Sequence, residues 1–273
     1  MKRCKQLDSI ARRNREVWNQ QANDPDCSFS RPFLDLTEDS AWRVINREGI
    51  SLEVRGRDVL CLASGGGQQS AAFGVLGASV TVFDLSENML KRDVETARHY
   101  GFPIRVEQGD MRDIGFFENE SFDIVYLGWA AIDFVPDAEP VIREAARVLR
   151  PKGCFNMGWV NPYFIDVYDK YDKAYQEGRL HWEGYAITEP YVEGAEIEST
   201  DEAESCTLGG RTFRHTLSTI VNLVVSSKLR LLGFWEHHTA YDFEELDPDP
   251  DPGSWTHYIS LVPWIVSLWA QKE

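Results

Sequence analysis

The stretch "VLCLASGGGQQSAAFGVLGASVTVFD", Val59 to Asp84, constrains the fold more than any other part of the chain. It starts with apolar, β-prone residues, turns on Gly65, Gly66 and Gly67, continues in helix formers, and ends in a second β-prone run, Ser79 to Phe83. The order is strand, glycine turn, helix, strand. A glycine turn between a strand and a helix lets the backbone approach a ligand closely because no Cβ intervenes. The helix start adds unpaired N–H groups. Asp84, closing the second strand, is placed to accept two hydrogen bonds from a ribose diol. Although Ser70 stands where a G-x-G-x-x-G pattern ends in Gly or Ala, strand, helix and carboxylate fall in the right places, and the segment predicts a nucleoside-containing cofactor.

Downstream the alternation stays regular. "SENMLKRDVETARHYG" predicts a helix capped by Ser86 and stopped by Gly101, "IRVEQ" a short strand, and "SFDIVYLGWA" a central strand. "DAEPVIREAARVLRPKG" predicts a helix ended by Pro151 and Gly153, and "CFNMGWV" a fifth strand. Strands separated by helices imply an α/β, doubly wound, mostly parallel sheet. Residues 1–54 read as a helical arm with Ser9 and Asp39 as N-caps and Gly49 as a stop, placed to cover the site. The core is expected over 55–160 and an inserted substrate lid over 161–211. The remainder of the sheet follows over 212–273. The lid carries an aromatic helical stripe (Phe164, Tyr168, Tyr171, Tyr175) and Trp182, Tyr185 and Tyr191. After it, "RTFRH" reads as strand, "LSTIVNLVVSSKLRLLG" as helix, "FWEHHTAY" as strand and "YISLVPWIVSLWAQ" as the last strand.

The formal charge of -16 argues against nucleic acid as a partner. Residues 181–206 hold eight carboxylates and no Lys or Arg, and six more lie between Asp242 and Asp251, so both segments read as acidic surface loops. No apolar run reaches a membrane span and the start lacks an apolar signal core, which makes a cytoplasmic location the expectation. Cys4, Cys27, Cys61, Cys154 and Cys206 are spread without C-x-x-C spacing, so neither a disulfide framework nor a metal site is expected.

Two cofactor classes explain the opening segment: a dinucleotide for hydride transfer, or S-adenosylmethionine for methyl transfer. Asp110 in "EQGDMRD", directly after the third strand, favours the second, since a carboxylate there can accept from an adenine amino group while the Met111 N–H meets a ring nitrogen. In order, "VLCLASGGG", "VTVFDLSENML", "VEQGDMRDIGF", "FDIVYLGWAAIDFVPD" and "EAARVLRPKGCF" resemble the motifs of the class I S-adenosylmethionine-dependent methyltransferases, small-molecule branch. The resemblance implies a Rossmann-like methyltransferase fold of seven strands, the last antiparallel. It also implies roles. Ala63, Ser64, Gly65 and Gly67 would line the methionine part of the cofactor, Asp84 the ribose, and Leu85 the adenine face. Asp110 and Met111 would meet the adenine edge, and Leu127, Gly128 and Trp129 the turn beneath the sulfonium. The family usually has an acidic residue at Cys61 and glycine at Ala63. Gln68 and Gln69 are candidates to manage the methionine ammonium instead, and Trp18 or Asn19 to close the site.

Methyl transfer from a sulfonium is an in-line displacement with a neutral leaving group, so alignment and exclusion of water suffice and a base is optional. Asp133 and His215 are the candidate bases. The expected partner is a small-molecule methyl acceptor, with the product S-adenosylhomocysteine left behind. An NAD(P)-dependent oxidoreductase and a non-catalytic S-adenosylmethionine-binding protein are the alternatives.

Overall fold

The computed structural model describes residues 7–24, 27, 30–164, 191–197, 210–239, 246–250 and 254–273. The chain runs α1 (Ser9–Gln21), α2 (Glu38–Ile45), β1 (Asp58–Leu62), α3 (Gln69–Val75), β2 (Ser79–Asp84), α4 (Glu87–Tyr100), β3 (Ile104–Gln108), β4 (Phe122–Leu127) and a 3-10 turn (Ala131–Phe134). It continues with α5 (Glu139–Val148), β5 (Leu149–Val160), β6 (Glu196–Ile197), β7 (Thr212–Phe213), α6 (Leu217–Ser226), β8 (Leu229–His237), α7 (Trp255–Leu261) and β9 (Ile265–Lys272).

Seven strands form one sheet in the order β3-β2-β1-β4-β5-β9-β8. Pairings from β3 to β5 are parallel, while β9 runs antiparallel to both β5 and β8. This is the expected doubly wound sheet. The strands are apolar on both sides because both faces are covered. Leu60, Leu62, Val125, Leu127 and Phe155 pack with Val141, Ile142, Ile220 and Val224 on one face. Val59, Cys61, Val82, Ile124 and Tyr126 pack with Val44, Ile45, Phe73 and Leu90 on the other.

Three boundaries differ from the sequence expectation. α5 ends at Val148 and β5 begins at Leu149, ahead of Pro151, because Phe122 on β4 already pairs with Leu149. The run read as helix over "LSTIVNLVVSSKLRLLG" breaks at Ser227 and Lys228, the latter in the left-handed region at φ 59°, and pairing with β9 draws Leu229 onward into β8. "YISL" belongs to α7 rather than to the last strand. At the arm, Asp8 and Thr37 are the N-caps, each accepting a backbone N–H, in place of Ser9 and Asp39, and α2 stops at Ile45 rather than Gly49. Ser86 and the left-handed Gly101 bound α4 as expected. The stripe residues Tyr168, Tyr171 and Tyr175, together with Trp182, Tyr185 and most of both acidic segments, lie outside the described residues.

Candidate functional site

The chain proceeds outward from β1 to β3 in one direction and from β4 to β5 in the other, so a crevice opens between the C-terminal ends of β1 and β4. Ligands of open α/β sheets bind at such a switch point. Ala63 to Gly67 leave the end of β1 there, with Ala63, Gly65, Gly66 and Gly67 all at positive φ (48°, 72°, 78° and 103°). The three glycines face different surroundings. A Cβ on Gly66 would stand 2.8 Å from Met89 Sδ, and one on Gly67 would stand 2.9 Å from Pro32 Cβ and also strike Thr96. Gly65 has only the ends of Gln68 and Gln69, at 3.8 Å or more, within reach. Gly65 is therefore the open one, while the side of Gly67 is packed against α4 and the arm.

Asp84 is buried at the end of β2, its Oδ1 accepting the Ser86 N–H at 2.7 Å. Burial pushes its carboxyl up to about 6, against hydrogen bonds from the backbone of Ser86, Gly65, Leu85 and Ser64 that favour the charged form. Leu85 is half-buried beside it, its carbonyl accepting from Gln108 at 3.2 Å. Asp110 and Met111 follow β3 as expected, both half-buried. The Asp110 carboxylate already receives the Arg112 guanidinium at 3.0 and 3.1 Å from Nε, and Arg112 reaches on to Asp8 of the arm at 2.9 Å. An adenine amino group would have to share that carboxylate, which has lone pairs to spare.

At the end of β4, Leu127 and Gly128 are buried and Trp129 is half-buried. A Cβ on Gly128 would strike the amide end of the Gln69 side chain and stand 3.3 Å from the Ala63 carbonyl oxygen. Gln69 in turn donates to the Ala63 carbonyl at 3.4 Å, and its Oε1 is buried without a hydrogen-bond partner. Gln68 instead donates to the Arg31 carbonyl at 3.0 Å. Trp129 lies over Gly158, where a Cβ would come within 2.8 Å of its ring, and stands edge-on to His237 at 5.4 Å.

The arm closes over this crevice. Asn19 Oδ1 accepts from Ser86 Oγ at 2.6 Å and from Asn88 N at 3.2 Å, joining α1 to the start of α4. Trp18 meets Phe134 edge-on at 5.1 Å. Asn14 donates to the carbonyls of Phe134 and Arg211, both at 3.0 Å, and accepts the Arg211 N–H at 2.7 Å. Open backbone at Gly65, the Asp84 carboxyl and an unpartnered buried oxygen on Gln69 suit a ligand with a diol and an ammonium, as S-adenosylmethionine has.

Asp133 and His215 lie beyond the β4 end. The buried Asp133 accepts the Val160 N–H through Oδ2 at 2.9 Å, and its Oδ1 has no partner. Burial raises its carboxyl to about 7, with the nearby His215 charge pulling the other way. His215 is committed on both nitrogens: Nδ1 to Glu193 at 2.8 Å, and Nε2 to the Val135 and Ile132 carbonyls at 2.9 and 3.2 Å. Two carbonyls at Nε2 and a carboxylate at Nδ1 call for donors on both sides. Desolvation is outweighed by Glu193 and Asp133, and the ring is held protonated above the usual histidine range.

Sequence reasoning missed several residues here. Asp93 of α4 is fully buried against the glycine turn, and segment 30–34 lies over it, Phe33 N–H donating to the Gly67 carbonyl at 3.3 Å. A signal for Asp93 existed: it falls four residues after Met89 and four before Ala97, on the helix face that those apolar residues bury. Segment 30–34 has no periodicity to reveal it.

The residues from 60 to 157 match the family model described as "Methyltransferase domain". The chain is 33% identical over 165 residues to the uncharacterized methyltransferase YbaJ of Bacillus subtilis, which covers 57% of this chain and 64% of that protein. It is 35% identical over 123 residues to the demethylmenaquinone methyltransferase of Clavibacter sepedonicus, 44% of this chain and 48% of that one. The chain thus spans about half to two thirds of these curated relatives. Among solved structures, an S-adenosylmethionine-dependent methyltransferase from Mesorhizobium loti superposes with a TM-score of 0.59 at 19% identity, covering 88% of this chain and all of its own. One from Methanosarcina mazei gives 0.55 at 19%, over 81% and 94%. Sheet order and these matches agree: residues 60–157 are a methyltransferase domain, on the fold shared with S-adenosylmethionine-dependent methyltransferases.

Proposed function

We propose that the chain transfers a methyl group from S-adenosylmethionine to a small molecule. The observation that carries this reading is the crevice between β1 and β4, where an open glycine turn, Asp84 and Gln69 converge under the arm. Ala63, Ser64 and Gly65 would take the methionine part, Asp84 the ribose, and Leu85, Asp110 and Met111 the adenine. Gly67 would shape the turn from behind. Gln69 Oε1 is the acceptor offered to the methionine ammonium, and its amide must leave the Ala63 carbonyl for that carbonyl to serve as well. Trp18, Phe134 and Trp129 give the crevice aromatic walls, which suits a flat acceptor. A small-molecule acceptor also agrees with the Clavibacter relative and with a Xanthomonas oryzae protein named ubiquinone biosynthesis O-methyltransferase, 32% identical over 114 residues.

The domain plan supports this use. The arm would cover the site and residues 55–160 would hold the cofactor, while the described residues 191–197 are anchored beside them by Glu193 on His215 and by the β6–β7 pair. Asp133 is the stronger candidate base, because it has a free oxygen and a carboxyl brought near neutrality. His215 would first have to release Glu193, and its geometry suits anchoring.

Calorimetric titration with S-adenosylhomocysteine, NADH and NADPH tests the cofactor, with Asp84→Ala as control. S-adenosylhomocysteine alone should bind, and the variant should lose it. Incubation with methyl-labelled S-adenosylmethionine and a panel of phenols, quinols, carboxylates and amines then tests transfer. Label in none of these acceptors, with the cofactor bound intact, would favour a binding protein without catalysis.

A further inference from the structure

The family resemblance fails at one chemically important place: β1 carries Cys61 where a carboxylate is usual, so nothing acidic underlies the glycine turn from its own strand. The structure shows a carboxylate arriving from elsewhere. Asp93, fully buried on α4, accepts Ser64 Oγ on Oδ2 and Ser70 Oγ on Oδ1, both at 2.5 Å. The Gly67 N–H also donates to it. Ser64, Gly67 and Ser70 are the beginning, the middle and the helical exit of the cofactor turn, so one side chain ties all three parts.

The Cys61 thiol is fully buried, and the Asp93 charge adds to burial in holding that thiol above its usual range. Cys61 packs toward Phe73 and Leu90, on the α3 and α4 side of the sheet, which is the side α4 covers. We propose that Asp93 is a positioning residue for the cofactor loop, supplying from α4 the carboxylate function that the family ordinarily places at position 61. This rests on the S-adenosylmethionine reading of the site.

The physical argument is one of preorganisation. Positive φ at Ala63 and three glycines leaves the turn with weak intrinsic preference for one shape, and glycines lose the most freedom on being fixed. Three hydrogen bonds to one buried carboxyl fix the turn before ligand arrives, so the cofactor does not have to order it. Residue 93 touches no ligand in this account. It acts through Ser64, Gly67 and Ser70.

The test is titration of the full chain with S-adenosylhomocysteine, alongside thermal melting of the unliganded protein. Asp93→Ala is expected to weaken binding at least tenfold while the protein still melts cooperatively. Adding Cys61→Asp to Asp93→Ala should recover most of the affinity, because the carboxylate returns beneath the same turn. Should Asp93→Ala fail to fold, Ser70→Ala removes one of these ties at a residue assigned no ligand contact, and it should weaken binding in the same direction. Wild-type affinity in Asp93→Ala, or in Ser70→Ala, would overturn the role. A weak Asp93→Ala that Cys61→Asp does not improve would overturn the equivalence with position 61. Wild-type protein that binds no S-adenosylhomocysteine would overturn the cofactor reading itself, and this role with it.

Discussion

Asp84 and Asp93 meet within one glycine turn, and their burial costs the fold stability. Each carboxyl is held above the ordinary 3.8, to about 6 and about 7, mainly by desolvation. The unfolded chain therefore releases these protons first, and stability falls as pH rises from about 4 through the folded values. For Asp84 alone the loss is on the order of 3 kcal/mol, taking roughly 1.4 kcal/mol per pKa unit. His215, held protonated above 6.5, acts in the same direction. Asp84→Asn should therefore flatten the decline in melting temperature between about pH 4 and 6 relative to wild type, and abolish S-adenosylhomocysteine binding. An unchanged slope would show that Asp84 is not held protonated in the free protein. Asp133 makes a second prediction at this scale. Asp133→Asn keeps the acceptor for the Val160 N–H but cannot take a proton, so turnover should drop at least tenfold, and the rise of wild-type rate through about pH 7 should vanish. His215→Asn should instead lower thermal stability and leave that pH profile in place.

Among the elements, β1, β2, β4 and α4 were the most legible, since their apolar periods and caps agree with their tertiary setting. Asp84 and Asp110 fall at strand ends and could be placed from spacing, whereas the Leu127–Trp129 turn was legible only through the family resemblance. The β8 and β9 region was less legible. Leu229 to Leu232 read as a continued helix until pairing with β9 is known, and long-range pairing leaves no local trace. α1 could be recognised as a helix, but not its docking, which depends on three polar residues, Asn14, Asn19 and Asp8, meeting partners more than 60 positions away. That docking is testable. Asn19→Ala leaves Ser86 Oγ without its acceptor, a cost of about 1 kcal/mol. Amide exchange across residues 9–21 should speed up about fivefold, and S-adenosylhomocysteine should dissociate faster. Exchange in β1 and β4 should not change.

For the whole molecule, the sheet is one continuous body built from both ends of the described chain. The glycine turn and the Asp84 end of β2 come from its first third, while Glu48 of the arm accepts from Ser267 at 2.7 Å and Trp269 at 2.9 Å on β9. No described helix is long and apolar enough to cross a membrane. The place of β9 bears on how this molecule is made. It is the last strand in order, yet it lies between β5 and β8 and pairs with both. During vectorial synthesis the cofactor half has all its strands once β5 emerges. From then until β9 arrives, β5 presents an unpaired edge carrying Phe155, Met157 and Trp159. The interval lasts for roughly a hundred residues of translation, about 5–20 s at ordinary elongation rates. In that interval the nascent chain is a natural client for holdase chaperones, and slow elongation there would favour aggregation over folding.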